Sequence, residues 1–415
     1  MTEAYEDVRQ AIVEAKRELR AGMASVGKVF AEVSERVADE VAEIGRLQAS
    51  GQQVIPEIPF DAIASGAVGD ATKDLVRRRG AVIVKDVFPP AQVEAWDAEL
   101  ADYLIRNGYY EREKDADLDK YFTTIQSQKP QIFGIYWSPP QVQARQSPSL
   151  AVTRAWLNRL WRWQTDGTRH FDPDRECVYA DRIRRREPGD ATIGLAPHMD
   201  AGSVERWLDP GYRNVYRNVF SGDWRAFDMF DGAFRNDVIE IESPAVCRAF
   251  RTYQGWTALT RQGRGDGTLQ LVPVANAIVY ILLRPLLDDV APDDLCGAAP
   301  GRSLAIVDEF HAPLLRALVT IPEVQPGDTV WWHPDVIHGV EDRHQGRGYS
   351  NVMYIGAAPD CPKNRRHLEL QKPRFLEGRS APDFAAEDYE VDYVGRATLE
   401  DLTPLGRAQM GFEAR

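Results

Sequence analysis

The chain has 415 residues, of which 44% are hydrophobic and 27% charged, and its formal net charge is −13 at pH 7. This composition is typical of a globular protein, and the length allows one large domain or two to three ordinary ones. The acidic excess argues against nucleic acid or an anionic membrane as a partner.

The N-terminal sequence MTEAYEDVRQ lacks the order of a secretory signal, and no apolar run approaches the length of a membrane span. We therefore expect a cytoplasmic protein without a membrane partner. The cysteines lie far apart in the sequence, at Cys177, Cys247, Cys296 and Cys361. Without a C-x-x-C spacing they predict buried, reduced thiols rather than disulfides or a zinc knuckle.

Residues 1–60 are predicted to form an N-terminal helix and a linker. Apolar residues from Val8 to Val37 recur at steps of three and four, which is typical of an amphipathic helix, with Gly22 and Gly27 as candidate breaks. The prolines of SGQQVIPEIPF then end the helix. Its apolar face is expected to pack on the domain or on a second copy of the chain, so a homo-oligomer stays open.

Residues 61–175 are predicted to form an α/β lead-in packed on the core. The segment ATKDLVRRRGAVIVKDVFPPAQVEAW indicates a helix, a glycine stop, a short buried strand at Ala81–Val84 and a second helix. Residues 150–163 again look helical and aromatic, which is typical of core packing.

A β-rich core is predicted over residues 176–375. Runs such as GTLQLVPV and TVWWHPDVIHGVE, punctuated by Gly, Pro and Asp turns, indicate many short strands, as in a sandwich or jelly roll. Segments at about 201–250 and 286–313 interrupt this pattern and are predicted to be insertions. Residues 376–415 follow as a C-terminal extension.

The stretch LAPHMDAGSVERW places His198 and Asp200 one residue apart. A strand projects residues i and i+2 from the same face, so an extended backbone would direct both side chains at one point. The pair would supply two metal ligands from three residues. A histidine in a β protein is more often a hydrogen-bonded structural residue, however, and H-x-D occurs by chance.

Candidates for a third ligand follow in TVWWHPDVIHGVE and DRHQGRGYS, namely His333, His338 and His344. Two histidines and one carboxylate form a facial triad that leaves the other positions of an octahedral iron open. Such a site suits a chelating cosubstrate and dioxygen.

The order of features favours a metal site over chance. An H-x-D pair, a GTLQLVP strand, a G-D turn, a late histidine and an arginine nine residues further on resemble the iron(II) and 2-oxoglutarate-dependent dioxygenases. The segments DRIRRREPGD, HMDAGSVERW, GTLQLVP and WWHPDVIHGVE are most similar to the YbiU-like branch of that superfamily. The resemblance implies a mainly β chain with flanking helices (α+β), whose core is a double-stranded β-helix, a cupin-like jelly roll.

The same resemblance implies a set of metal ligands. His198, Asp200 and His338 would hold Fe(II), with His338 preferred because the distal ligand of the family lies in an H-G-V segment after the G-D turn. Pro334 and Asp335 would break the strand beside His333, which is then expected to be a core or supporting residue.

The resemblance also implies a cation for the distal carboxylate of 2-oxoglutarate. Arg347 is the candidate, because a guanidinium matches a carboxylate with two hydrogen bonds, and Arg343 is the alternative. Ser350 is a candidate hydroxyl partner, although its odd spacing from Arg347 puts the two on opposite faces of a regular strand. Thr268 and Gln270 would line the cosubstrate site or belong to the β core.

Polar and aromatic residues near the H-x-D pair are candidates for binding a small, polar and anionic substrate. Arg182 and Arg184 share one face of a predicted strand, and Ser203, Arg206 and Trp207 follow Asp200. The alternative for each arginine is pairing with acidic residues at the surface.

The implied activity is oxidation of a small molecule by dioxygen with Fe(II) as metal and 2-oxoglutarate as cosubstrate, releasing succinate and CO2. Hydroxylation is the default outcome. Two alternatives stay open: a cupin-like isomerase or hydrolase that uses zinc or manganese, and a non-catalytic binding protein on the same scaffold.

Overall fold

A computed structural model describes residues 7–111, 131–190, 195–200, 202–244 and 246–413. The α-helices of these residues are α1 Val8–Ala21, α2 Val26–Ala49, α3 Phe60–Ala64, α4 Asp70–Arg79, α5 Pro90–Arg106, α6 Pro139–Arg145, α7 Pro148–Arg159, α8 Glu205–Leu208, α9 Pro210–Val215, α10 Arg217–Phe220, α11 Ala277–Leu283, α12 Asp308–Leu315, α13 Pro362–Glu377 and α14 Pro404–Gln409. Short 3₁₀ helices lie at Tyr109–Glu111, Trp224–Ala226, Arg284–Leu286, Tyr389–Asp392 and Leu399–Asp401.

The strands of the described residues are mostly short. They are β1 Glu57–Pro59, β2 Ala81–Lys85, β3 Ile132–Phe133, β4 Gln164–Thr165, β5 Thr168–Arg169, β6 Asp172–Glu176, β7 Ile183–Arg186, β8 His198–Met199, β9 Tyr253–Ala258, β10 Leu269–Val272, β11 Leu304–Ala305, β12 Val319–Thr320, β13 Thr329–Trp332, β14 Ile337–Val340, β15 Ser350–Ala357 and β16 Pro359–Asp360.

Two sheets form the centre of the molecule. A seven-stranded sheet has the order β1-β2-β13-β9-β15-β7-β3, and a five-stranded sheet has the order β11-β8-β14-β10-β12. Pairs β16-β6 and β4-β5 lie apart from them. The sheets face each other, since the Trp332 ring of β13 lies 5.3 Å, centroid to centroid, from the His338 ring of β14.

The described chain is a mixed α/β protein, and the expectation of a mainly β chain is wrong. Helices contain more residues than strands because α1, α2, α5 and α13 span 14, 24, 17 and 16 residues, whereas the longest strand, β15, has 8, and part of the first predicted insertion folds as α8, α9 and α10. Part of the second predicted insertion joins the sheet instead: β11 pairs with β8, with Ala305 opposite His198.

The N-terminal segment consists of two helices. α1 ends at Ala21, and α2 begins after Ser25, whose Oγ accepts the N–H of Lys28 at 3.3 Å. Val33, Val37 and Ile44 form the buried stripe of α2, and their burial against the rest of this chain stabilises the docked helix by roughly 1.5–3 kcal/mol per side chain. The apolar face predicted from the sequence therefore packs within one copy of the chain. No helix among the described residues has the length and apolar character needed to span a membrane.

Gly339 explains how the loop before β8 reaches its place. A Cβ at this position would lie 3.0 Å from the Leu195 carbonyl oxygen and 3.1 Å from the Pro197 nitrogen. The Val340 N–H also donates to Leu195 O at 2.8 Å. The missing side chain lets the loop pass against β14, which brings β8 alongside it.

Candidate metal centre

β8 and β14 run antiparallel, and His198 lies directly opposite His338 in their register. Asp200 follows His198 by two residues and is directed to the same side. One potential ligand atom from each of the three side chains lies within 4.8 Å of the other two. The structure therefore brings together His198, Asp200 and His338, the three metal ligands predicted from the sequence. His333 is not part of this cluster.

The two imidazoles are oriented by backbone carbonyls. His198 Nδ1 lies 2.7 Å from Ala196 O, and His338 Nδ1 lies 3.1 Å from Val336 O. Because a carbonyl only accepts, each Nδ1 carries a proton and donates it, which leaves the Nε2 lone pair for a ligand. Both Nε2 atoms point at Asp200, at 3.4 and 3.5 Å from its carboxylate oxygens.

The carboxylate of Asp200 is held from two sides. Its Oδ2 accepts a hydrogen bond from Gln254 Nε2 at 3.1 Å, and Arg206 donates to its backbone carbonyl at 2.6 Å. Oδ1 is buried without a hydrogen bond in the described part of the chain. Two imidazole lone pairs and a carboxylate thus meet in a buried place, an arrangement that calls for a proton or a metal cation between them.

The titration behaviour of these groups agrees with this geometry. Burial alone would raise the pKa of Asp200, but nearby His338 and His198 hold that pKa well below its usual range. Burial opposes the charged form of His198, yet the contact with Asp200 raises its pKa. The cluster therefore favours positive charge at its centre.

The other candidate histidines serve the fold. His333 stacks on Trp161 with ring centroids 4.9 Å apart, its Nε2 lies 2.9 Å from Met229 O, and its Nδ1 accepts the Asp335 N–H. His344 bridges its own loop, with Nε2 2.7 Å from Gly348 O. Neither belongs to the cluster.

His333 predicts an acid-dependent loss of stability. Burial lowers its pKa to about 3, so between its ordinary pKa and this value the unfolded chain binds a proton that the folded chain does not. The free energy of unfolding should fall as the pH falls through this window, by about 3 kcal/mol from this group between pH 7 and pH 4. His333→Asn should flatten the dependence in urea unfolding measured from about pH 7 to pH 4. An unchanged pH dependence of the free energy of unfolding in His333→Asn would contradict a lowered pKa of His333.

The predicted cosubstrate arginine does not reach the cluster. Arg347 is exposed in the loop before β15, and its guanidinium makes no hydrogen bond or ion pair with any described residue. Arg343 is exposed in the same loop. The glycines flanking Arg347 place it on an exposed turn rather than at a buried position beside the cluster.

The other predicted cosubstrate residues have partners within the protein. Ser350 and Thr268 each donate to Gln262 Oε1, at 2.9 and 2.8 Å, in a buried group. Gln270 lies opposite Gly339, one residue along from the Leu271–His338 pair, so its side chain is on the far face of the sheet from the cluster. It contacts Thr320 there.

Three of the predicted substrate residues are used by the fold. Trp207 is fully buried and donates to Leu282 O at 3.1 Å, and Ser203 Oγ accepts the N–H of Ala299. Arg206 is buried and donates to Asp335 and Tyr216 at 2.9 and 2.8 Å. Sequence proximity to Asp200 suggested substrate contact, whereas these side chains connect the insertion to the core.

The remaining two arginines lie on the side of the seven-stranded sheet that faces the cluster. Arg184 is opposite Val352 of β15, and Gln254 is opposite Gly356 of the same strand, so all four positions share a face. From this face, Gln254 Nε2 donates a hydrogen bond to Asp200 Oδ2. Arg182 precedes Arg184 by two residues and shares its side, with its guanidinium 4.5 Å from the Phe384 ring centroid.

Arg184 stands out because it is buried without a carboxylate partner in the described part of the chain. Its guanidinium donates to Gly267 O at 2.9 Å, and burial lowers its pKa to about 10. Tyr354, also on the cluster-facing side of β15, interacts electrostatically with both Arg184 and Asp200.

The sequence reasoning missed Gln254, Tyr354 and Arg251 near the cluster. None of the three lies in a sequence motif typical of metal or cosubstrate binding. Gln254 lies in β9 and Tyr354 in β15, and nothing in the local sequence distinguishes them from other strand residues. Only the pairing of β9 with β15 reveals that they share the face directed at Asp200.

The chain is similar to known proteins over almost its whole length. The model of the Gig2-like family matches residues 6–412. The uncharacterized protein YbiU of Escherichia coli strain K12 is 43% identical over 409 residues, which cover 98% of this chain and 97% of YbiU. The expected relationship to YbiU-like proteins is confirmed.

Solved structures are also similar to this chain over nearly its whole length. A crystal structure from Salmonella typhimurium LT2 is 45% identical with a TM-score of 0.93, covering 98% of this chain and 97% of that one. The structure of GlcNAc Inducible Gene 2 (GIG2, DUF1479) from Candida albicans is 27% identical with a TM-score of 0.80, covering 97% and 89%. The similarity extends over nearly the whole chain.

Proposed function

This chain belongs to the Gig2-like family, and we propose that it is a non-haem iron(II) and 2-oxoglutarate-dependent oxygenase acting on a small polar metabolite. The observation that carries the proposal is the buried convergence of His198 Nε2, His338 Nε2 and the Asp200 carboxylate. The Salmonella relative is named, provisionally, as an oxidoreductase, which accords with this chemistry. The two facing sheets are the basis on which we propose a double-stranded β-helix core.

His198, Asp200 and His338 fit an iron(II) ion as two nitrogen ligands and one oxygen ligand. Their placement on neighbouring strands supports facial coordination, which leaves positions for a chelating cosubstrate and dioxygen. When bound, iron(II) with 2-oxoglutarate supplies the oxidising power of dioxygen for attack on a C–H bond, with release of succinate and CO2.

The remaining residues of the site orient and hold these ligands. Gln254 fixes Asp200 Oδ2, and Arg206 fixes the backbone of the same residue. The backbone carbonyls of Ala196 and Val336 keep the protons of both imidazoles on Nδ1, away from the metal position. Such outer contacts commonly contribute 10- to 100-fold to metal affinity or activity.

Arg184 replaces Arg347 in our assignment of the 2-oxoglutarate anchor. It lies on the cluster-facing side of β7, it forms no ion pair with an acidic side chain of the described residues, and burial makes its charge costly in the free protein. A bound carboxylate would relieve that cost, and the guanidinium would meet it with two hydrogen bonds. Tyr354 offers a hydroxyl on the same face.

The proposed activity is tested by anaerobic reconstitution with iron(II) and 2-oxoglutarate, admission of dioxygen and measurement of succinate in the presence of a metabolite mixture. We expect succinate release that requires iron(II) and rises with one of the metabolites. Tight zinc binding together with a complete lack of 2-oxoglutarate binding would instead favour the hydrolase or isomerase alternative.

The anchor assignment gives a second expected result. Arg184→Gln should weaken 2-oxoglutarate binding to the metal-loaded protein by about 2–5 kcal/mol, because the distal carboxylate loses a buried charged partner. Arg347→Gln is the matched control and should bind 2-oxoglutarate like the parent protein. Calorimetric titration with 2-oxoglutarate measures both, and the reverse pattern would return the role to Arg347.

A further inference from the structure

A second guanidinium near the metal centre forms no ion pair with the part of the chain that the structure describes. Arg251 precedes β9 by two residues, and its side chain makes no hydrogen bond or ion pair with the described residues. Its Cζ lies 4.8 Å from the centroid of the Tyr179 ring. Stacking on an aromatic face holds this cation in place and uses none of its N–H donors.

Position 356 shows that Arg251 crosses the face directed at the metal centre. Gly356 lies opposite Gln254, whose side chain reaches Asp200, so both positions face the cluster. A Cβ at Gly356 would lie 3.2 Å from Arg251 Cδ and 3.8 Å from Tyr179 Cδ1. The absent side chain leaves this surface of β15 to the stem of Arg251.

Arg251 and Arg184 occupy different ends of that surface. Arg184 is opposite Val352, and Arg251 covers Gly356, four residues further along β15. Four strand residues span roughly 13 Å, and Tyr354 lies between the two positions. One guanidinium suffices for the distal carboxylate of 2-oxoglutarate, which leaves the other for a different anion.

The surroundings of Arg251 favour its charged form. Burial opposes the charge, but Cys247, Tyr179, Asp181 and Asp200 together raise its pKa. Asp181 is engaged elsewhere, since its Oδ1 accepts the Arg182 N–H at 2.7 Å. Neither Asp181 nor Asp200 forms a hydrogen bond or ion pair with Arg251 in the described part of the chain, so the N–H donors of this guanidinium stay available to a ligand.

We propose that Arg251 binds a carboxylate of the primary substrate, in a subsite separate from the Arg184 position. The proposal rests on the proposed function, because it places the anion of the molecule that is oxidised. A guanidinium fixed by stacking meets a carboxylate with two parallel hydrogen bonds at little cost in side-chain order. The substrate class is therefore a small carboxylic acid.

The test uses benzoate and its uncharged analogue benzamide as probes of the metal-free full-length protein, with affinities measured by ligand-observed NMR. We expect benzoate to bind at least about tenfold more tightly than benzamide, the value of one charge-assisted hydrogen bond. Arg251→Gln should abolish the preference, and Arg251→Lys should recover part of it. Arg248→Gln is the matched control, because Arg248 is exposed and pairs with Glu242.

Three results would overturn the proposal. They are equal binding of benzoate and benzamide, absence of benzoate binding at millimolar concentration, and a preference that survives Arg251→Gln but is lost in Arg184→Gln. The assay requires neither metal nor turnover. Binding of manganese and 2-oxoglutarate to Arg251→Gln, measured in parallel, reports on the proposed function by itself, so failure of either can be recognised separately.

Discussion

Replacement of His338 by alanine is expected to lower the iron(II) affinity of this protein by more than about 100-fold, since loss of an outer partner of a metal ligand already costs 10- to 100-fold. His338 supplies one of two imidazole nitrogens directed at Asp200, and no other histidine in the described chain joins the cluster. His198→Ala should have the same effect. Calorimetric titration under anaerobic conditions measures it, and succinate release should disappear in parallel.

His170→Ala is the control for this result. His170 contacts Thr165 and lies outside the cluster, so its replacement should leave iron binding unchanged. The thermal unfolding of the metal-free variants should stay close to that of the parent protein, because both sheets and their apolar core remain. Full iron affinity in His338→Ala would exclude the proposed ligand set.

Asp335→Asn is expected to destabilise the fold by about 3–5 kcal/mol, the usual cost of breaking a buried ion pair by removing one partner. Asp335 Oδ1 accepts from Arg206 at 2.9 Å and from Tyr216 at 2.8 Å, and Oδ2 accepts from Arg235 at 3.2 Å. The two guanidiniums hold its pKa far below the usual range despite burial. An asparagine leaves both buried cations without compensation.

The free energy of unfolding in urea measures this effect. Asp174→Asn, which breaks an ion pair with Arg159 in which both side chains are about half exposed, should change stability little. The double variant Asp335→Asn, Arg235→Met should be less destabilised than the two single changes predict by addition, because the second change removes an uncompensated cation. A loss below about 1 kcal/mol in Asp335→Asn would show that the network does not hold the insertion to the core.

Weaker metal binding should accompany the instability of Asp335→Asn. Arg206 donates to the backbone of Asp200 as well as to Asp335, so it connects the ion pair to the metal ligand. Arg206 is therefore a positioning residue rather than a substrate-binding one. Arg206→Lys should keep part of the stability while lowering iron affinity, because an ammonium cannot reach both acceptors in the geometry of a planar fork.

Several features followed from the sequence by itself because they depend on local periodicity. The i, i+2 spacing of His198 and Asp200, the amphipathic repeat of the N-terminal segment and the buried strand are set by backbone geometry over a few residues. The strand was predicted at Ala81–Val84 and spans Ala81–Lys85. The choice of His338 over His333 came from the resemblance, since the distal ligand of that family lies in an H-G-V segment. These predictions concern residues whose neighbours in the chain determine their surroundings.

The roles of the arginines were decided only by tertiary structure. The sequence positions of Arg206 and Arg347 suggested contacts with substrate and cosubstrate. In the structure Arg206 forms an ion pair with Asp335, and Arg347 is exposed to solvent. Arg184 is placed on the cluster-facing side by the register of β7 with β15, and the side chain of Arg251 lies on the same side against Gly356 of β15. A sequence position occupied by arginine can lie at the surface, in an ion pair or in a binding site. Which of these it is depends on the side chains around it, and those come from segments that are distant in sequence.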